Sequence, residues 1–256
     1  MPSLPRFYLD PDEWRESELI LTGGEAHHCV DVLRLQPGNR VVVFDGRGTE
    51  AMSEIVEAGK NRVTLRPGQI TRTDPPSARI ILGQAIPKGK NMDLIIQKAT
   101  ELGVSEIYPV VSERTIVRLD EGEADSRRKK WARVALEAGK QSGQNWVPEV
   151  HTPAPLSPRL FDEVRRQVDF LIIASLEADS RHLEDILAEY REMHDDAMPG
   201  GVFVLIGPEG DFTPAEFSLT KREGCLPMTL GPIVLRTETA ALYSISVLGY
   251  KLFNAS

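Results

Sequence analysis

The chain reads as a mixed α/β protein in two parts: a small N-terminal β-barrel, then a larger, mainly parallel sheet with helices on its faces. Three observations predict this. Roughly the first 70 residues alternate short apolar runs with glycine turns; "TRTDPPSAR" (Thr71–Arg79) then interrupts them with polar and proline residues. Beyond it, continuous apolar runs alternate with stretches of helical periodicity, the pattern of strands covered on both sides. The division is placed at 1–74 and 75–256.

In order along the chain, "RFYL" and "LILTGGEAHHCVDVLRL" open the barrel as short strands and turns. Val41 to Phe44 followed by "DGRG" is a hairpin signal, and "EAGKNRVTL" repeats it one hairpin later. "RIILGQAI" is a buried strand. "NMDLIIQKATELG" is a helix with Met92, Ile95, Ile96, Ala99 and Leu102 on one face, closed by Gly103. "SEIYPVV" is the next strand. "DSRRKKWARVALEAGKQSG" follows as a helix with Trp131, Val134, Ala135 and Ala138 inward, begun by the basic run Arg127 to Lys130. "VDFLIIAS", "GVFVLIGP" and "LPMTLG" are three further strands.

A chain of 256 residues can bury about three quarters of its unfolded surface, so a full core is available. The net charge of −8 argues against a uniformly cationic nucleic-acid binder. It is unevenly spread, −3 over residues 1–76, +2 over 77–150 and −7 over 151–256, which leaves room for a basic face in the middle third. Cys29 and Cys225 lie far apart with no CxxC spacing and read as packing residues. His27 and His28, on strand or helix, have no carboxylate at ligand spacing, so no metal is expected. The N-terminus carries neither a signal nor a transit pattern and no run approaches 18 apolar residues, so the expectation is a cytoplasmic protein without a membrane partner.

Ligands of open α/β sheets bind beyond the carboxyl ends of the strands, which directs attention to three turns: "ASLEADS", "GPEGDFTPAE" and "LGPIVLRTETAAL". In the second, Thr213, Pro214 and Glu216 fit an N-cap, a first-turn proline and a capping box, leaving "GPEGD" as loop. Gly207 and Gly210 there suit a close backbone approach or positive φ. The third turn repeats the Gly-Pro pair, and two such turns on neighbouring strands would wall one pocket. Thr237 or Thr239 can cap the helix that follows. Arg236 is not explained by capping, because a cation in a first turn opposes the helix dipole. It calls for an anionic partner: Glu238, another carboxylate, or a substrate. With no GxxxxGK[ST] or GxGxxG, and with Glu209 and Asp211 in the loop, a phosphate is disfavoured and a cationic or sugar-bearing ligand fits better.

These motifs carry a resemblance. "LIGPEGDFTPAEF" and "LGPIVLRTETAAL", with "QAIPKGKNMDLIIQKATELGVSEIYPVVSERTIVRL" and "EAGKQSGQNWVPEV" upstream, resemble the RsmE family of 16S ribosomal RNA uridine N3-methyltransferases, of the SPOUT class. The likeness covers nearly the whole chain, "AHHCVDVLRLQPG" lying in a barrel similar to the PUA RNA-binding domain. It implies a C-terminal parallel sheet with a deep trefoil knot, a homodimer, 16S ribosomal RNA or the small subunit as partner, and S-adenosylmethionine as methyl donor. By motif position, the cofactor would be lined by Leu176, by Ile206, Gly207 and Gly210, and by Leu230, Gly231, Leu235, Arg236 and Ala240. RNA contacts would include Arg6, Arg34, Lys88, Lys90 and Asn145, Lys88 and Lys90 being otherwise solvated turn residues. Three positions depart from the family pattern: Ile233 stands where an Arg is usual, and Gln144 and Trp146 flank Asn145 where Arg is usual on both sides. Trp146 either stacks on a base or packs.

The resemblance implies transfer to N3 of a uridine. Uracil N3 is a poor nucleophile until it loses its proton, so the reaction needs a base or a cation beside the developing anion. Arg236 is the candidate for the anion. Glu238 is the candidate for orientation or proton acceptance, or else a salt-bridge partner that fixes Arg236. Two other readings remain: a SPOUT enzyme acting on ribose 2′-hydroxyls, and a non-catalytic RNA-binding assembly factor.

Overall fold

The computed structural model describes residues 4–115 and 120–253; the end of the "SERTIVRL" motif lies outside them. The described chain separates into two compact units, 1–75 with 136–147, and 76–135 with 148–256.

The first unit is a five-stranded sheet in the order β1 (Arg6–Tyr8), β3 (Arg40–Phe44), β4 (Thr49–Ala58), β5 (Arg62–Arg72) and β2 (Leu19–Thr22). Alternate residues point to one side and form a single core of Phe7, Leu19, Leu21, Val41, Val43, Ile55, Val63 and Leu65. A short helix α1 (Gly23–His27) runs into a π-helical turn over His28–Val32, so the "AHHCVDVL" stretch is helical. Its Cys29 is buried in that core.

The segment 136–147 joins this unit through polar bonds that no local pattern announces. Asn145 accepts from Arg6 at 2.6 Å and donates to the Thr73 hydroxyl at 2.9 Å, while the Trp146 indole donates to the Thr73 carbonyl at 3.0 Å. A Cβ on Gly48 would lie 2.7 Å from the Trp146 ring, so the two pack face against backbone. That contact favours the packing role for Trp146.

The second unit is built on a wholly parallel sheet. Its strands are β6 (Arg79–Ala85), β7 (Glu106–Val111), β8 (Glu149–Val150), β9 (Ala154–Pro155), β10 (Phe170–Ala174), β11 (Gly201–Ile206) and β12 (Cys225–Met228). Their order is β12-β10-β11-β6-β7-β8, with β9 paired to β7. The helices are α2 (Asn91–Glu101), α3 (Glu121–Ser142), whose last turns belong to the first unit, α4 (Pro158–Val164), α5 (Leu183–Met193), α6 (Pro214–Arg222) and α7 (Thr237–Leu252). α3 starts at Glu121, so the basic run lies inside the helix rather than at its beginning; Arg128 and Lys129 pair with Asp125, and Lys130 with Asp93.

On one face Ile81, Val110, Ile173, Phe203 and Leu205 meet Leu160 and Phe161 of α4 and Phe217 of α6. The intervening residues, Ile80, Leu82, Ile172, Val202 and Val204, are equally buried, and α7 packs against β6 and β11. Burial on both faces is what makes these strands continuous apolar runs. Gly83 in the middle of β6 is a packing requirement, because the Phe203 ring occupies the space a Cβ would need. Among the described residues, no helix is long and apolar enough to cross a membrane.

Candidate functional site

All strands of the second sheet run the same way, so their carboxyl ends share one edge, and there the three turns converge. They enclose a cavity of about 290 Å³ lined by Ala174 to Leu176, Ile206 to Glu209 with Asp211, and Leu230 with Ile233 to Thr237 and Ala240. The two Gly-Pro turns do wall one cavity, but not from neighbouring strands: β10 lies between β11 and β12 and supplies the floor residues Ala174 and Ser175.

Each turn is fixed by bonds legible in its composition. In the first, the Ser175 N–H donates to Met228 of β12 at 2.9 Å, and the Ser175 hydroxyl accepts from the Glu177 N–H at 3.0 Å. In the second, Thr213 and Glu216 form the expected capping box, with Pro214 opening α6. Glu216 also accepts from the Glu113 N–H at 2.8 Å, and the Arg114 guanidinium donates to the Gly210 carbonyl. Glu209 accepts from the Lys88 N–H at 2.9 Å. The residue with positive φ here is Asp211 (58°), not either glycine. Gly207 is needed for space: a Cβ would sit 3.1 Å from the Asp211 carboxylate and 3.4 Å from the Phe212 ring.

The third turn corrects the capping expectation. The N-cap of α7 is Arg236, without a side-chain cap bond. Thr237 is the first helical residue, and its hydroxyl donates to the Gly207 carbonyl at 2.7 Å rather than serving its own helix. Gly231 takes φ of 103°, which only glycine holds cheaply, and so turns the chain back toward the cavity.

Among the residues expected to line a cofactor, Leu176, Ile206, Gly207, Leu230, Leu235, Arg236 and Ala240 border this cavity. Gly210 and Gly231 do not; the Gly210 carbonyl accepts from Arg114, and Gly231 sits at the positive-φ bend. Glu209 and Asp211, the two carboxylates read in the second loop, also line it, whereas Thr237 and Val234 belong to the wall and were not anticipated as lining residues. Their signal was present in the motif spacing, but which side of each loop faces inward is decided by tertiary bonds.

Arg236 is exposed at the cavity wall and makes no ion pair among the described residues. Glu238 does not pair with it; its carboxylate accepts from the Asn91 amide at 3.4 Å. Of the partners open to Arg236, Glu238 is therefore removed. Ile233 and Val234, at 71% and 74% exposure, sit on the outer lip beside it.

The residues expected to meet RNA divide. Lys88 and Lys90 are exposed at the start of α2, in the same unit as the cavity. In the first unit Arg34 is exposed and takes φ of 54°, whereas Arg6 is turned inward, bonded to Glu50 at 2.8 Å and to Asn145. Contrary to the sequence reading, His27 does have a carboxylate one helical turn on, Asp31 at 2.7 Å, but the described residues contain no group of three or more metal-ligating side chains. Burial pushes the Cys29 thiol up to about 11 and the Cys225 thiol up to about 12, so both stay protonated packing groups.

The comparisons with known proteins fall on these features. A family model described as an RNA methyltransferase domain matches residues 74–249, and one described as an RNA methyltransferase PUA domain matches 21–68. The ribosomal RNA small subunit methyltransferase E of Bacillus subtilis is 32% identical, covering 90% of this chain and 89% of its own. A methyltransferase from Legionella pneumophila, solved with the cofactor SAM, superposes with a TM-score of 0.85 at 31% identity, over 97% of this chain and 98% of its own. The ribosomal RNA small subunit methyltransferase E of Neisseria gonorrhoeae, solved with S-adenosyl methionine, has a TM-score of 0.83 at 29% identity, over 99% of this chain and 100% of its own.

Proposed function

Because this chain belongs to the RNA methyltransferase family, we propose that it moves the methyl group of S-adenosylmethionine to N3 of a uridine in the 16S RNA of the small ribosomal subunit. The observation that carries the reading is Arg236, without an ion pair among the described residues, on the wall of a cavity made by three strand-end turns.

The cavity suits the cofactor on its own terms. Its volume of about 290 Å³ stands near the lower bound, roughly 300 Å³, of small-molecule sites. Leu176, Ile206, Leu230, Leu235 and Ala240 give an apolar wall for a flat base, and Glu209 and Asp211 offer acceptors for ribose hydroxyls or a sulfonium cation. When bound, the cofactor supplies an electrophilic methyl carbon on a sulfonium sulfur.

The chain's own residues then do two things. The three turns hold the reacting groups in line, which is the larger part of what a displacement asks of a protein. Arg236 supplies positive charge for uracil as its N3 proton leaves, and Glu238, steadied by Asn91, orients the base or takes that proton.

Three finer features belong to the same reading. The chain passes from β10 to β11 on one side, then to β12 on the other, and returns as α7 onto β6 and β11; this route supports a deep trefoil knot of the SPOUT type through which α7 is threaded. A homodimer is supported by Leu94 of α2 and Tyr243 of α7, both nearly half exposed. The 1–74 barrel would act as the RNA-binding domain beside a 75–256 methyltransferase domain, with Arg34, Lys88 and Lys90 on phosphates. Arg6 and Asn145 would have to exchange their mutual bond to join them. A cytoplasmic location goes with a ribosomal substrate.

The test is transfer of radiolabelled methyl to small subunits, or to their naked RNA, from cells lacking this gene, followed by nucleoside analysis. Label in 3-methyluridine is the expected result. Label in a 2′-O-methyl nucleoside would place the chain among ribose methyltransferases, and cofactor binding with no transfer to either substrate would favour an assembly factor.

A further inference from the structure

Behind the cavity lies a short relay of hydrogen bonds. Gln84, next to last in β6, is fully buried. Its amide nitrogen donates to the Ala85 carbonyl at 2.8 Å and to the Thr237 hydroxyl at 3.0 Å. Thr237 in turn donates to the Gly207 carbonyl at 2.7 Å. Gln84 Oε1 has no hydrogen-bond partner among the described residues.

A buried amide costs stability unless both ends are satisfied, and a methionine would fill the same space without that cost. Gln84 is thus kept for its donors. The bond matters because a hydroxyl has one proton: with Gln84 donating to Thr237 Oγ1, that proton is left for the Gly207 carbonyl. Three elements are tied in sequence, β6 through Gln84, the first turn of α7 through Thr237, and the turn after β11 through Gly207. Thr237 and Gly207 border the cavity, but Gln84 does not.

We infer that Gln84 is a positioning residue for the cofactor site: by setting the Thr237 hydroxyl it fixes the spacing between the second and third turns on which S-adenosylmethionine binding depends. This rests on the reading of the cavity given above. Because Gln84 reaches the cavity only through Thr237, its removal should weaken cofactor binding through that hydroxyl.

The experiment measures S-adenosylmethionine affinity by calorimetry for the wild-type chain, Gln84→Met, Thr237→Val, Thr237→Ser and the Gln84→Met/Thr237→Val double variant, with thermal unfolding of each. Gln84→Met and Thr237→Val are each expected to raise Kd about tenfold, the scale of one lost hydrogen bond. The double variant should be no worse than Thr237→Val alone, and Thr237→Ser should bind like wild type. A Gln84→Met chain with wild-type Kd, whatever its melting temperature, would overturn the inference, as would strictly additive effects. Should Gln84→Met not fold, equal affinities of Thr237→Val and Thr237→Ser would overturn it. Failure of the wild-type chain itself to bind would overturn the reading of the cavity instead.

Discussion

The two edges of the parallel sheet handle polarity in opposite ways. At the amino edge, Arg79 of β6, Glu106 of β7 and His151 form a closed network: Glu106 pairs with Arg79, accepts from His151 at 2.8 Å and from the Tyr108 hydroxyl at 3.1 Å. Tyr108 stacks on the His151 ring at 3.8 Å, and Gln167 bonds both Arg79 and the Tyr108 hydroxyl. At the carboxyl edge, among the described residues, Arg236 makes no ion pair and Glu238 accepts a long bond from Asn91. A network whose members satisfy one another has little left to offer a ligand, whereas an unpaired guanidinium on a cavity wall does. Perturbed ionisation alone would have pointed to the wrong edge.

The amino edge is where the largest stability effect is expected. Burial alone would raise the Glu106 carboxyl, but the bond and charge of His151, the Arg79 guanidinium and the Tyr108 hydroxyl hold it below the ordinary value of 4.5. A depressed folded pKa stabilises fully above the unfolded value and loses that contribution as pH falls through the folded one. Glu106→Gln should therefore cost about 2 kcal/mol in urea unfolding at neutral pH and flatten the stability curve where pH falls below the ordinary carboxylate value of 4.5. Cofactor affinity should stay at wild type; a matching loss of affinity would break the contrast between the edges.

A smaller and opposite effect is expected at the cavity. Glu209→Gln keeps an acceptor for the Lys88 N–H, so the melting temperature should hold, while removal of a negative charge from the wall should raise the S-adenosylmethionine Kd about threefold to tenfold. Calorimetry beside thermal unfolding separates the two. The least effect belongs to Lys129→Ala: its pair with Asp125 on the outside of α3 is solvated, and neither affinity nor melting temperature should move beyond about 1 °C.

The same contrast explains what the sequence disclosed. The capping box at Thr213, the buried face of α2 and the strand-turn-helix order were legible because they depend on residues a few positions apart. The convergence of the three turns was legible because parallel strands put their carboxyl ends together. Thr237 was not, since whether its hydroxyl serves its own helix or a carbonyl 30 residues away is decided by tertiary packing. The amino-edge network draws on positions 79, 106, 108, 151 and 167, which no local pattern unites. The insertion of β10 between β11 and β12, and the membership of 136–147 in the first unit, are likewise matters of topology.

In the proposed mechanism Arg236, which makes no ion pair among the described residues, is held for the reacting base. The direct measurement is single-turnover methyl transfer to small-subunit RNA by Arg236→Ala, at saturating S-adenosylmethionine, with cofactor affinity measured on the same preparation. If Arg236 serves the reacting base, the rate falls at least about a hundredfold, the scale of a lost charge-stabilising donor, with Kd changed by less than about tenfold. A wild-type rate in that variant would contradict it.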